Sequence, residues 1–402
     1  MRTSPAIGLV VWLGALGVSS GCQRASTSDL LKAGPGAATT SVDLTHAIVP
    51  LVQGLTIVTA VEDAGDDYES FKVILESDPQ RYRLSYSSIF KREQQLKRTN
   101  SEREVSTADH VNAGQYRIAF RTGERGPSPG TTAISLSTAK FRELVSKGET
   151  RIDIVTLQDD FDGTPQPLAE SIDLRREGGP VDFPVLVNNR MTRLPAIHAL
   201  YRDNPSPQWR AQFPNEVLEF QEGFTFLDDG VHPLALRWQY RLATLEVIRI
   251  NNVRLNLKDS DPPAASGPPA ASDAPASGLA QELEDGLARR GVVEVPGIYF
   301  DTGSAAIRPE SGPAIAAIAE ALSKNASLKV SIEGHTDNQG GEQYNLDLSR
   351  TRAEAVRTVL IEKHLIDKGR MTTRGHGYSK PKADNSTLLG RAQNRRVELV
   401  RF

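Results

Sequence analysis

This 402-residue chain has one cysteine, Cys22, so it can form no disulfide within itself. It also lacks a strong charge of either sign: 47 Lys and Arg stand against 50 Asp and Glu, a net of −3. Residues 279–402 hold 18 basic against 16 acidic side chains, and the remainder holds 29 against 34. Neither part has the basic excess that binding a phosphate backbone needs, which excludes a nucleic-acid binder. The apolar run Ala6–Val18 is shorter than the roughly 20 residues of a membrane-spanning helix. The apolar fraction is modest, 39%, and the length predicts two folded units rather than one.

What is present begins with a leader. Arg2, the apolar run and the small residues Ser19-Ser20-Gly21 precede Cys22, the pattern of a secretory signal over residues 1–21. It resembles a bacterial lipoprotein signal, although Ser19 stands where that family prefers leucine. The resemblance implies that Cys22 becomes the lipidated N-terminus and a palmitate-bearing anchor. Gln23 is not the aspartate that retains such proteins in the inner membrane. The implied location is therefore the outer membrane, lipid-anchored and facing the periplasm.

Ser, Thr, Gly and Ala then dominate a flexible tether, residues 22–45. Residues 46–258 predict a mainly-β, sandwich-like domain. Short runs rich in β-branched and aromatic residues recur there (Ile48–Ala60, Phe71–Leu75, Tyr82–Phe90, Tyr116–Phe120, Arg151–Leu157, Val231–Trp238, Leu245–Leu257), with one helix at Thr138–Lys147. No chemistry is legible in this domain. Asp159-Asp160 and Asp228-Asp229-Gly230 are read as turns, and His198 and His232 as isolated packed or surface residues. Residues 259–278 form a Pro/Ala/Ser spacer, about 60 Å long at roughly 3.1 Å per residue, expected to hold two domains apart.

Residues 279–402 alternate helix and strand in the order βαβαββ, an α+β sandwich preceded by a helix at Leu279–Arg290. Strands are expected at Gly297–Phe300, Leu328–Gly334, Met371–Gly375 and Arg395–Val400, with helices at Pro309–Ser323 and from Asn345 to His364. On the long helix Leu348, Ala355, Val356, Val359 and Leu360 share an apolar arc, and Arg352 falls in its middle, at about 240° from Leu346. An arginine there must snorkel, pair with an acid or line a pocket, and periodicity alone leaves these open.

Several ordered blocks of this region closely resemble the OmpA-like peptidoglycan-binding domain family. They are Ile298-Tyr299-Phe300-Asp301-Thr302-Gly303-Ser304, Glu333-Gly334-His335-Thr336-Asp337-Asn338, Tyr344-Asn345 through Arg352-Ala353 and Val356, Gly375–Pro381, and Gly390 through Glu398. The resemblance implies a grip on diaminopimelate of the cell-wall stem peptide. Asp337 would take its ammonium and Arg352 its carboxylate, with Asp301, Thr302, Gly303 and Asn345 adding hydrogen bonds. No enzyme, cofactor or metal is expected. A His335–Asp337 dyad is sterically possible on one strand face, but it has no nucleophile or third ligand beside it. Arg395-Arg396 is read as a solvated edge, and the terminal Phe402 as no sign of a membrane barrel. The partners expected are peptidoglycan, outer-membrane lipid and an envelope protein on residues 46–258. The chain is expected to tether membrane to wall. The alternatives are a scaffold or sensor whose β-rich domain carries the function, or a wall hydrolase with its site in that domain.

Overall fold

Alternating apolar and polar residues fold the first part of the chain into long strands. A computed structural model describes residues 43–63, 66–92, 95–159, 165–205, 207–214, 216–240, 243–257 and 277–402. Cys22, the leader, Asp160, nearly all of the tether and nearly all of the spacer lie outside the described residues. The strands of the β-rich region are β1 (Thr56–Asp63), β2 (Asp66–Ser77), β3 (Arg81–Arg92), β4 (Gln95–Ser106), β5 (Gln115–Arg117), β6 (Thr131–Thr132), β7 (Glu149–Asp159), β8 (Pro165–Val187), β9 (Arg190–Asp203), β10 (Gln221–Leu227), β11 (Ala235–Tyr240) and β12 (Ala243–Asn251). Among the described residues α1 (Thr107–Asn112), α2 (Thr138–Lys147) and α3 (Pro207–Gln212) join them.

The strands form one sheet in the order β4-β3-β2-β1-β12-β11-β10-β9-β8-β7-β5-β6. The end of β8 also pairs with β12 in parallel, at Leu186 and Val187 against Arg249 and Ile250, so the sheet curls back on itself. β8 and β9 meet through Asn188 and Asn189, both at positive φ. Asparagine tolerates that region, and the resulting turn matches the twist of a hairpin. The expected helix at α2 is present, with Ser137 accepting from the Lys140 amide at its start and Gly148 at φ 82° at its end. The Ile48–Ala60 run divides: β1 starts only at Thr56, and Val49, Leu51 and Leu55 are buried in irregular chain ahead of it. Asp229 accepts from the amides of Ile48 and Val231, a turn residue as its sequence suggests.

The second part comprises α4 (Ser277–Arg290), β13 (Val292–Val295), α5 (Gly312–Lys324), β14 (Val330–His335), α6 (Glu342–Glu362), β15 (Met371–Gly375), α7 (Leu388–Asn394) and β16 (Arg396–Arg401). Its sheet runs β13-β16-β14-β15. Ile315, Ile318 and Leu322 of α5 and Val356 and Leu360 of α6 pack on Val330, Ile332, Val397 and Leu399. One strand is displaced from its expected place. Residues 297–300 are not the sheet strand; β13 is, five residues earlier. The Tyr299 amide and carbonyl are instead taken by the Ser311 hydroxyl and the Arg308 amide. β16 lies inside the sheet, so Arg395-Arg396 does not border a solvated edge.

The spacer does not hold the two folded parts apart: the described residues all fall in one compact unit. Val58, Ala60, Phe71 and Ile248 of the β-rich sheet share a buried cluster with Tyr299, Leu389 and Ala392. β1 and β12 are therefore apolar on both faces, with Ile57, Val247 and Ile250 turned to the first core and Val58, Ala60 and Ile248 to the second part. Arg249 of β12 donates to the Ala392 carbonyl, and Asn251 to the Tyr299 hydroxyl. Among the described residues no helix is long and apolar enough to cross a membrane.

Candidate functional site

The end of β14 and the start of α6 are drawn together by a glycine. A Cβ on Gly334 would overlap the Ser349 carbonyl of α6, so only glycine lets the helix backbone lie this close to the strand. Ser349 also holds the neighbouring turn, its hydroxyl accepting from the Gly377 amide at 2.9 Å. This contact sets Asp337, just past the strand, and Arg352, one turn along the helix, on a common cavity of about 220 Å³. Thr302, Gly303, Tyr344 and Asn345 line the same cavity. Asp301 is not among the residues that line it.

Each expected residue has a defined setting. Arg352 is only 8% exposed. Its Nε donates to the Ser304 carbonyl at 2.9 Å and one terminal nitrogen to the Asp301 carbonyl at 3.2 Å. Its guanidinium lies 4.9 Å from the centre of the Phe300 ring. Among the described residues no carboxylate lies within ion-pair distance of it. Desolvation, with the like charge of Arg395, pushes its pKa down to about 10. A buried guanidinium with no carboxylate in contact is costly, even with Glu69 and Asp337 acting on it from a distance, and a ligand carboxylate would relieve that cost. Of the three meanings the helix wheel left for Arg352, lining a pocket is the observed one.

Asp337 is also buried; one oxygen accepts from the Gln339 amide at 3.0 Å and the other from Arg395 at 2.5 Å. Asn345 is spent on structure, its amide donating to the carbonyls of Gln339 at 2.8 Å and Gly341 at 3.2 Å. Gly303 adopts φ 63°, and its carbonyl accepts from the Tyr344 hydroxyl at 3.3 Å. The Thr302 hydroxyl donates to the Ile89 carbonyl, and the Asp301 carboxylate pairs with Arg98 at 2.7 Å and Arg308 at 3.3 Å. These turn residues therefore face the β-rich sheet as well as the cavity.

Sequence reasoning missed Arg395. Its guanidinium bridges Asp337 and Glu69 of β2, donating to the latter at 2.6 and 3.1 Å. Desolvation would lower its pKa, but the two carboxylates outweigh it and raise it. Its place next to a buried acid could have been suspected only with β16 put in the sheet centre. Glu69 and its neighbour Tyr68, which also lines the cavity, had no signal at all.

His335 does not pair with Asp337. It stacks on His376, ring centres 4.8 Å apart, and lies 3.3 Å from Glu398, while His376 meets Glu333 at 2.6 Å. Glu333, His335 and His376 bring donor atoms within 4.8 Å of one another. Rings stacked near-parallel, 22° apart, do not aim their nitrogens at one point, and Arg396 already supplies Glu398 with a cation at 2.7 Å. Burial, with help from Arg396, lowers the His335 pKa despite Glu398. His232, expected to stand alone, is buried 5.5 Å from His110, and His198 lies 3.2 Å from Glu222.

With this geometry in place, known proteins bear on it. Residues 299–395 match the OmpA family. The C-terminal domain is an OmpA-family domain. Over 100 residues the chain is 42% identical to outer membrane protein Omp38 of Acinetobacter baumannii, covering 25% of this chain and 28% of that one. Over 103 residues it is 42% identical to the outer-membrane lipoprotein YfiB of Pseudomonas aeruginosa (26% and 61%) and 38% identical to the probable lipoprotein YiaD of Escherichia coli (26% and 47%). The chain thus spans less than two thirds of each of these relatives. Among solved structures, the cell wall anchor of the T6SS from Pseudomonas aeruginosa is 33% identical over 31% of this chain and 96% of that one, with a TM-score of 0.25.

Proposed function

We propose that the OmpA-family domain binds peptidoglycan non-covalently by holding the zwitterionic head of diaminopimelate between Asp337 and Arg352. The observation that carries this reading is Arg352, a buried guanidinium lining a cavity of about 220 Å³ with no carboxylate in contact among the described residues. Asp337 keeps acceptor capacity for an ammonium after its bonds to Gln339 and Arg395. Opposite charges fixed at separate points favour a zwitterion over a ligand lacking either charge. The site needs no catalytic step, cofactor or metal for this role.

We further propose that Cys22 carries lipid and that the chain ties the outer membrane to the wall from the periplasmic side. The lipoproteins YfiB and YiaD among its relatives support this. The contact between the β-rich sheet and the domain favours a second element of the reading: the β-rich region works together with wall binding rather than as a remote module. The decisive test is binding of the full chain to purified diaminopimelate-containing sacculi, beside Asp337→Ala and Arg352→Ala shown by circular dichroism to be folded. Loss of binding in both is expected, and undiminished binding by either would overturn the site. Labelling with a palmitate analogue, lost in Cys22→Ser, tests the anchor.

A further inference from the structure

The pocket has a resident carboxylate that the domain itself does not supply. Glu69 comes from β2, 326 residues before Arg395, and reaches the guanidinium at 2.6 Å. A smaller cavity of about 40 Å³ shares Glu69, Arg352 and Arg395 with the main one and is also lined by Arg249 and Arg396. Four guanidiniums, with Arg396 the fourth, and one carboxylate therefore line the space where a ligand's carboxylate would seek Arg352. Burial would raise the Glu69 carboxyl, but Arg395 and then Arg249 outweigh it and hold it below the usual range, so it is charged.

Its placement is fixed from several sides. Arg98 meets Asp301 at 2.7 Å, the Thr302 hydroxyl donates to the Ile89 carbonyl, and Phe71 packs edge-on against Tyr299 at 5.0 Å. The main cavity stays open between the two parts, with Ala60, Val61, Tyr68 and Glu69 along one side. A ligand can thus enter while the β-rich sheet is docked, and it meets Glu69 when it does.

We propose that Glu69 is a specificity-determining residue of the peptidoglycan pocket, a built-in carboxylate that competes with the ligand's own for the positive field of Arg352 and Arg395. With Glu69 in place, Asp337 and Glu69 offset part of the positive charge of Arg249, Arg352 and Arg395. With Glu69 neutral, the excess of positive charge grows by one, and a ligand carboxylate gains. The β-rich sheet then lowers affinity for ligands that carry a carboxylate and sets how firmly the chain holds the wall. This inference rests on the pocket reading proposed above.

The experiment is binding of the full chain to diaminopimelate-containing sacculi and to a diaminopimelate tripeptide, comparing wild type, Glu69→Gln, Glu69→Asp and Arg352→Ala. Glu69→Gln keeps the shape and removes the charge, and binding about fivefold tighter or more is expected. Glu69→Asp keeps the charge in a looser fit, so a gain as large as that of Glu69→Gln would assign it to loosened packing and overturn the proposal. Arg352→Ala added to Glu69→Gln should abolish the gain. If Arg352→Ala alone loses binding but Glu69→Gln binds no tighter than wild type, the Glu69 inference falls and the pocket stands. If Arg352→Ala binds as well as wild type, the pocket reading falls and this inference falls with it.

Discussion

Arg395 holds Glu69 at 2.6 Å with one arm and Asp337 at 2.5 Å with another, so a single guanidinium joins the β-rich sheet to the cavity-lining carboxylate of the OmpA-family domain. Removing it would strand two acids in a half-buried place. About a quarter of the Arg395 and Glu69 side chains stays exposed, which keeps the penalty below that of a fully buried pair. Arg395→Ala should therefore cost about 2–3 kcal/mol in urea unfolding, and Glu69→Gln on that background should restore part of it. A double-mutant cycle with no coupling between the two positions would show that the bridge carries no energy.

Lys72 is a second unusual charge. It sits on β2, 6% exposed, with the Thr59 hydroxyl at 3.5 Å and the rings of Tyr86 and Trp238 at 5.7 and 5.4 Å from its ammonium. Burial pushes its pKa down to about 8. Between that value and the roughly 10.4 of an unfolded lysine, the unfolded chain binds more protons, so stability rises with pH across this window. Below it the full penalty stands, on the order of 3 kcal/mol. Lys72→Met should raise the urea midpoint at pH 7 and flatten the rise between pH 8 and 10. An unchanged midpoint and slope would mean that the ammonium is solvated.

The histidine pair of the β-rich region predicts sensitivity to acid. His110 and His232 are fully buried, and each ring meets a backbone carbonyl, of Val231 at 2.9 Å and Val49 at 3.0 Å. Burial first, and for His110 the neighbouring His232, lowers both pKa values to about 4. An unfolded histidine titrates near 6.5, so the contribution of the pair is complete above that pH and is lost as pH falls towards 4. The β-rich sheet should lose several kcal/mol between pH 6.5 and 4.5, read as a falling urea midpoint by tryptophan fluorescence. His232→Gln should shrink that fall; an equal fall in the variant would place its origin elsewhere.

How far the sequence reached is clear at particular residues. The OmpA-like blocks were legible because Gly334, Asp337, Asn345 and Arg352 fall in a fixed order along one strand and one helix, where local spacing decides what is neighbour to what. β8 was not. Its 23 residues include Arg175, Arg176, Glu177, Gly178, Gly179 and Pro180, polar and breaker residues that hide a strand. The pairing with β9 passes over that interruption as a bulge between Glu177 and Val181. Ile48–Ala60 read only as one β-rich run among several, yet within β1 a second apolar face, Val58 and Ala60, covers the other domain. Glu69 was invisible for the same reason: a contact across 326 residues leaves no periodicity, and a lone acid on a polar strand is indistinguishable from a solvated one.

A conservative change at Arg352 separates charge from geometry. Its Nε and one terminal nitrogen are held by the carbonyls of Ser304 and Asp301, which orients the planar group towards the cavity. Lysine carries the same charge on a rotating ammonium and cannot satisfy both carbonyls and a ligand carboxylate in one fixed fork. Arg352→Lys should keep the fold, with a stability change of about 1–2 kcal/mol for the lost carbonyl bonds. Its sacculus binding should weaken about tenfold or more, because the two-pronged contact is gone. Raising the salt would then weaken the lysine variant further than the wild type, since a point charge reaching a carboxylate through water is screened more than a buried fork. Equal affinity and equal salt dependence in the two proteins would show that Arg352 acts as charge alone.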